Sequence, residues 1–420
     1  MSNTTIELTG TIPRDLVVNN GDRFLFISHD QRALTHGIHK YPAKFFPELP
    51  RWIIERYSSY GDTILDPFMG SGTTNVEASI LGRDSIGIDV DPFSRMLARV
   101  KTTPLPDHEV KTAWKKLHAH VLNYKEPSHL EGVPEFPYRD HWFRQFMLKE
   151  LAHIKTRIES LPSRQEVKNF FRICFSSIIR QVSEADNNCT RTVIRKKLQK
   201  KVEPQMGIRL FIKKTEHAMS GMRAFTTSLP EGFVTIPEDG DARRMPTISN
   251  QQIDMALTSP PYVNAVDYPR THQLELYWLG LAEGSLQPLK KSHVGTESVS
   301  AVEYRELHLT GCIEADQVIA KIYNIDPRRA FIATKYLWDM FSNLQEVFRV
   351  LKPGSPYVIV VGNNLIRQIP FESWKYLMAY APELGYDVEH HFVSEIINHY
   401  IKVPRKERIN DDHIIVLRKP

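Results

Sequence analysis

The chain has 420 residues, 41% hydrophobic and 25% charged, with 54 basic against 49 acidic side chains for a formal net charge of +5. That balance describes a globular protein with a sizeable core, in one large domain or two of common size. No run approaches the ~20 apolar residues of a membrane span, and the N-terminus MSNTTIELTG lacks the charged start and apolar core of a signal peptide, so a cytoplasmic protein is expected. Cys174, Cys189 and Cys312 lie far apart without CxxC spacing, which argues against a disulfide framework or a zinc site.

The stretch GDTILDPFMGSGTTNVEASILGRDSIGIDVDP (61–92) reads as strand, glycine-rich turn, helix and strand. TIL leads into Asp66, the turn spans Gly70 to Thr74, Gly82 closes the helix, and SIGIDV is the second strand. This is the opening unit of a doubly wound α/β sheet. Residues 101–230 break the rhythm with helical patterns such as HWFRQFMLKELAHIKTRIESL and EVKNFFRICFSSIIRQVSEA, followed by the basic run RTVIRKKLQKK (191–201). Such a run can track a phosphate backbone, and it can equally be a solvated helix face. The sheet resumes with FVTIPEDGDARRMP and IDMALTSPPY, and a second irregular stretch occupies 283–330. Beyond it come the helix YLWDMFSNLQEVFRVLKPG, the strand YVIVVGNN, the helix FESWKYLMAYAPELG, and the apolar runs YDVEHHFVSEI and DHIIVLRK, expected to pair as an antiparallel hairpin at the sheet edge.

Within DPFMGSGTT, Gly70 and Gly72 lack a Cβ and can take positive φ, so the backbone can approach a ligand closely. About twenty residues on, Asp89 ends the next strand, where a carboxylate can accept both hydroxyls of a ribose. The turn is not GxGxxG, and Asp66 before it would repel a pyrophosphate but pair with an ammonium group. S-adenosylmethionine, which carries that ammonium and no phosphate, therefore fits better than NAD, and a nicotinamide-dependent oxidoreductase is disfavoured.

Together DPFMGSGTT, GIDVDP and TSPPY resemble the amino-methyltransferases of DNA, the enzymes that methylate the exocyclic nitrogen of cytosine or adenine. The resemblance covers 35–100 and 233–420. It implies a Rossmann-like, mostly parallel sheet and three parts: an N-terminal part with cofactor motifs (1–100), a helical insertion as a target-recognition candidate (101–230), and the remainder with the catalytic loop (231–420). By motif position it implies cofactor-binding roles for Asp66, Phe68, Gly70, Gly72, Thr73 and Asp89. In GDAR, Asp241 would accept from the adenine amino group with Ala242 packed nearby. HKYPAKFFPELPRWII (39–54) resembles a further cofactor segment and brings in Lys44, although Phe45 stands where the family usually has proline.

An exocyclic amine on a base is a poor nucleophile because its lone pair is delocalised into the ring. Acceptors on its protons favour a tetrahedral nitrogen, and the Ser259 hydroxyl and Pro260 carbonyl can each take one. Pro260 and Pro261 stiffen the loop and keep that carbonyl out of a sheet ladder. Tyr262 offers a flat face for a flipped base. Neither a metal nor a covalent enzyme intermediate is needed. Serine at the first position favours cytosine N4 over adenine N6, since the resembling adenine enzymes usually carry Asp or Asn there. Methylation at C5 would need a nucleophilic cysteine, and no Pro-Cys pair occurs. An RNA amino-methyltransferase and a non-catalytic DNA-binding module of the same fold are the competing readings. The resemblance makes double-stranded DNA the partner, with Arg191, Arg195, Lys196, Lys197, Lys200 and Lys201 as candidate contacts. It places the protein at the nucleoid of a prokaryote, beside a cognate restriction endonuclease in a restriction–modification setting.

Overall fold

The computed structural model describes residues 5–129, 131–195, 200–230, 232–263, 266–395 and 411–420. Its sheet is built around β3 (Thr63–Asp66), where TILD buries three of four side chains, and β4 (Asp84–Gly87) beside it in parallel, with Asp66 opposite Gly87. The helix between them, α2 (Thr73–Ile80), buries seven of its eight residues. From β4 the chain runs outward to β5 (Val234–Thr235), then returns to the other side of β3 as β6 (Met255–Thr258) and β7 (Pro356–Gly362). MALT and PYVIVVG are buried at every position, as expected of strands covered on both faces. The order in which strands are added therefore reverses between the parallel neighbours β3 and β6, and ligands of open α/β sheets bind at the carboxyl ends of the strands flanking such a point.

A small hairpin, β8 (Asn364–Ile366) and β9 (Ile369–Phe371), leads out of β7. The last two strands, β10 (Asp387–Glu395) and β11 (Asp411–Arg418), pair antiparallel, and β11 inserts between β7 and β10. They are not the sheet edge. Two N-terminal strands, β1 (Ile6–Thr9) and β2 (Arg23–Ile27), extend the sheet beyond β10 in parallel. Alternation in RFLFI explains the placement: Phe24 and Phe26 point into the core, and Arg23 pairs with Glu395 at 3.0 Å and Asp411 at 2.9 Å, clamping β2 to the hairpin.

Between α3 (Pro92–Thr102) and β5 the chain is helical, with long helices at Asp107–Leu122, Gln145–Glu159, Gln165–Val182 and Met206–Ser228. Their apolar faces share one core with the cofactor half of the sheet: Phe170, Phe175 and Phe211 belong to the same buried cluster as Tyr41, Phe93 and Leu97. The stretch 283–330 is not irregular throughout, because helices form at Gln287–Ser292 and Ile313–Tyr323, and the next helix starts at Pro327 with Asp326 as its N-cap.

Beneath the glycine turn lies a charged network that sequence patterning did not reveal. Glu77 on α2 is fully buried, accepts from Arg51 Nε at 2.7 Å, and sits 2.7 Å from His36 Nε2, whose pKa burial lowers to about 4. Lys101, also buried, donates to the Ser71 carbonyl at 2.6 Å and so holds the turn from below. Glu77→Ala leaves Arg51 and His36 without their acceptor and is expected to lower unfolding stability by about 3–5 kcal/mol in a chemical denaturation series.

Candidate active site

The glycine turn begins where β3 ends. Gly70 (φ +49°) donates its N–H to Asp89 Oδ2 at 2.9 Å, while Asp89 Oδ1 accepts from the Asp91 N–H at 2.8 Å, so this carboxylate is pinned between the turn and the entry to α3. The two glycines do different work. Gly70 lines an open cavity, where a Cβ would come within 3.3 Å of the Tyr41 ring. Gly72 (φ +72°) lies behind it, where a Cβ would meet the Ala98 Cβ at 2.8 Å, so it serves the packing of α2 on α3.

The cavity encloses about 510 Å³, part of it continuous with solvent, a size typical of small-molecule sites. One wall carries Phe68, Gly70 and Asp89; a second carries Asp241 and Ala242; Ser259 and Pro261 form a third. The second wall is close because residue 240 is glycine: a Cβ there would lie 2.8 Å from the Asp89 carbonyl oxygen. Asn343 Nδ2 donates to the Ala242 carbonyl at 2.8 Å, and Arg243 clasps Asp241 through Nε (2.9 Å) and Nη2 (2.7 Å). Tyr41 and Tyr268, stacked with ring centroids 5.6 Å apart, and His293 with Val294 complete the lining.

Charge distinguishes this cavity from a phosphate site. Burial pushes Asp66 up to about 6, against bonds from the Thr258 hydroxyl (2.6 Å) and the Phe68 N–H (3.1 Å) that favour its ionised form. Burial, followed by the neighbouring charge of Asp91, also pushes Asp89 to about 6. Among the lining residues the basic one is a histidine, with no lysine or arginine to meet a pyrophosphate. A ligand with a cationic centre, a ribose diol and a flat adenine matches these carboxylates, the Phe68 ring and the Asp241–Ala242 wall. The donor set thus fits S-adenosylmethionine.

A family profile described as DNA methylase matches residues 19–98, which carry the glycine turn and Asp89. Over 386 residues the chain is 26% identical to the type II methyltransferase M.MvaI of Kocuria varians, an alignment covering 84% of this chain and 82% of that one. It is 27% identical over 294 residues to M.BsoBI of Geobacillus stearothermophilus (62% and 55% covered) and 44% identical over 115 residues to M.MjaII of Methanocaldococcus jannaschii (27% and 21% covered). These matches support the amino-methyltransferases of DNA as the family that this chain resembles.

The cofactor of this methyltransferase is S-adenosyl-L-methionine. Of the residues expected to hold it, Phe68, Gly70, Asp89, Asp241 and Ala242 stand on the cavity wall. Asp66 and Thr73 are buried just behind it. Lys44 is elsewhere: its ammonium donates to the carbonyls of Gln31 (3.0 Å) and His36 (3.1 Å), and burial lowers its pKa to about 8. The neighbouring Tyr41 occupies the wall instead, and its place in KYP, just ahead of the proline, is the sequence signal that marks it. In the catalytic loop Ser259 and Pro261 face the cavity, Pro260 is buried, and the Tyr262 hydroxyl is tied to Asp412 Oδ1 on β11 at 2.6 Å.

The basic run proves partly structural where it is described. Lys200 donates to the carbonyls of Ala185 (2.7 Å) and Arg180 (2.9 Å), and Arg195 pairs with the buried Asp186 at 3.1 Å. Both cations thus brace the turn after the helix Gln165–Val182, Lys200 half-buried and Arg195 with most of its guanidinium side chain still exposed. Arg191 and Lys201 are exposed, and Lys196 and Lys197 lie outside the described residues. The lining residues that patterning missed, Tyr268 and His293, belong to segments with no periodic signal.

Asp66 has a folded pKa of about 6 against 3.8 for a free carboxyl, so it favours folding while protonated and opposes it as pH rises through 6. Asp66→Asn is therefore expected to raise stability by about 3 kcal/mol at pH ~8, with no gain near pH ~3, while weakening cofactor binding. Urea denaturation at the two pH values, with calorimetric titration of S-adenosylhomocysteine, measures both.

Proposed function

We propose that this methyltransferase is a site-specific type II enzyme of a prokaryotic cytoplasm, methylating the exocyclic amine of a flipped-out base in double-stranded DNA, with cytosine N4 as the target. The observation that carries the reading is the shared cavity: Ser259 and Pro261 stand on the same wall system as Phe68, Asp89 and Asp241, so a base at the loop and a cofactor at the turn are neighbours. The relatives named as type II methyltransferases support a role beside a restriction endonuclease.

S-adenosylmethionine, when bound, supplies a methyl group on a cationic sulfur. The chain's own residues do the rest. Asp89 accepts from ribose hydroxyls, and Asp241, held by Arg243, stands ready for an adenine amino group. Asp66, short of a cation, favours the ammonium end. Ser259 Oγ, at the cavity wall, accepts a hydrogen bond from the target amine, which favours a nitrogen lone pair held out of the ring and stabilises the positive charge it gains, the surplus proton leaving to solvent after the transfer. The Pro260 carbonyl is the second acceptor in this reading. The Tyr262 ring, its hydroxyl fixed by Asp412, is restrained from rotating and offers a stacking surface beside the loop. Bringing Ser259, Asp89 and Asp241 to one cavity supplies the orientation on which the transfer depends.

Mass spectrometry of nucleosides from DNA of cells expressing the chain tests this directly. N4-methylcytosine is expected with the wild type, and Ser259→Ala is expected to lose about 100-fold or more of the activity, the scale of losing one preorganised partner of a developing charge. N6-methyladenine in its place would reassign the base, and no methylated base in DNA carrying many candidate sites would remove the activity.

A further inference from the structure

The segment 287–295 has no role in the cofactor and catalytic motifs, yet it is tied to both. It consists of the short helix Gln287–Ser292 followed by His293, Val294 and Gly295. On the cofactor side, Arg243, already holding Asp241, donates through Nη2 to the Ser292 carbonyl at 3.0 Å. On the catalytic side, Lys290 pairs with Asp267 at 3.1 Å, shortly after the Ser259–Tyr262 loop. Gly295 lies against that loop itself, where a Cβ would come 3.3 Å from the Tyr262 carbonyl oxygen. The segment is thus a strap whose middle residues, His293 and Val294, form part of the cavity wall.

His293 points inward from this strap. Its Nδ1 is 2.6 Å from the Leu289 carbonyl, an acceptor, so the Nδ1 proton is committed there. Nε2 faces Asp91 Oδ2 at 3.7 Å; both atoms are buried, and neither has a hydrogen-bond partner among the described residues. Asp91 uses its other oxygen to cap α3 through the Phe93 N–H at 2.8 Å. With Nδ1 occupied, only the imidazolium has a proton at Nε2 to present to Asp91. Asp89, which lines the same cavity as His293, lies within reach of the charge of that histidine as well.

We propose that His293 is a positioning residue for the transfer: as an imidazolium it neutralises Asp91, keeps Asp89 ionised for the ribose hydroxyls, and anchors the strap that joins the cofactor wall to the catalytic loop. The proposal rests on the methyltransferase reading of the cavity. Burial draws the His293 pKa down, but Asp91 and Asp89 outweigh it and raise it above the usual 6.5; in return His293 outweighs burial at Asp91 and lowers its pKa. The titratable groups around the pair are Asp89 from the same loop, His272 and Tyr268 from the helices after the catalytic loop, and Tyr41 and Asp241 across the cavity. His272 is held neutral, burial lowering it to about 3.

Calorimetric titration of S-adenosylhomocysteine into the full-length protein, from pH ~6 to ~8.5, tests the assignment with His293→Gln, Asp91→Asn and the double variant. In the wild type, affinity should fall at low pH as Asp89 protonates near 6 and fall again at high pH as His293 loses its proton. His293→Gln should weaken binding roughly tenfold at pH ~7, about the equivalent of one pKa unit, and abolish the high-pH limb while leaving the low-pH limb. Asp91→Asn, which removes both the partner of Nε2 and the charge that opposes Asp89 ionisation, should likewise abolish the high-pH limb without the tenfold loss, and the double variant should be no worse than His293→Gln alone. For His293→Gln, affinity within about twofold of wild type or a surviving high-pH limb overturns the role of His293 while the methyltransferase reading stands. A wild type that binds no S-adenosylhomocysteine overturns both. If His293→Gln does not fold, Asp91→Asn, which keeps the helix cap through its amide oxygen, carries the same decision through its high-pH limb.

Discussion

A hydrogen bond of 2.6 Å from Thr258 Oγ1 to Asp66 Oδ1 joins the ends of the two parallel strands between which the winding order of the sheet reverses. On one side of it the chain turns through Gly70 toward Asp89; on the other it runs directly into Ser259 and the two prolines. The register that sets Leu65 opposite Ala256 makes the bond geometrically available, and the bond in turn fixes the catalytic loop against the glycine turn. Every later feature of the site assumes that relation. Asp241 reaches the cavity because Gly240 lies on the Asp89 backbone, and Tyr41 reaches it because Gly70 leaves room for its ring.

Holding that geometry takes an electrostatically costly arrangement. Asp66 and Asp89 sit where burial opposes their charge, and both are pushed toward 6. Carboxylates kept in that state are poor for folding and good for receiving a cationic or hydroxyl-rich ligand, a division common where stability yields to function. Support comes from a second charged layer. The buried Glu77 and His36 with the half-buried Arg51 form a network at α2, and the buried Lys101 donates to the Ser71 carbonyl of the turn.

The helical insertion belongs to the same body. Its aromatic residues complete the core around Phe93 and Tyr41, so the helices that interrupt the sheet in sequence buttress α3 in space. The basic run at its end is partly used within the fold, Lys200 satisfying carbonyls and Arg195 a buried aspartate, while Arg191 and Lys201 are exposed. The second insertion instead reaches the cavity, since its strap places His293 in the wall beside Asp91.

The sequence by itself determined the local units: the strand, glycine turn and helix around Gly70, the acid at Asp89, the proline-stiffened stop after Thr258, and the antiparallel pairing of the last two strands. These are legible because turn chemistry and hydrophobic period act over a few residues, and because the motifs stand in the order their chemistry needs. Only the tertiary structure decided which of those residues face the ligand. Gly72 and Lys44 share motifs with Gly70 and Tyr41, yet a helix contact at Ala98 and two main-chain carbonyls claim them. The clamp of Arg23 on Asp411, the Glu77 network and the His293–Asp91 pair join residues that are 26 to 388 positions apart. Such contacts depend on packing between distant segments, and no local periodicity encodes them.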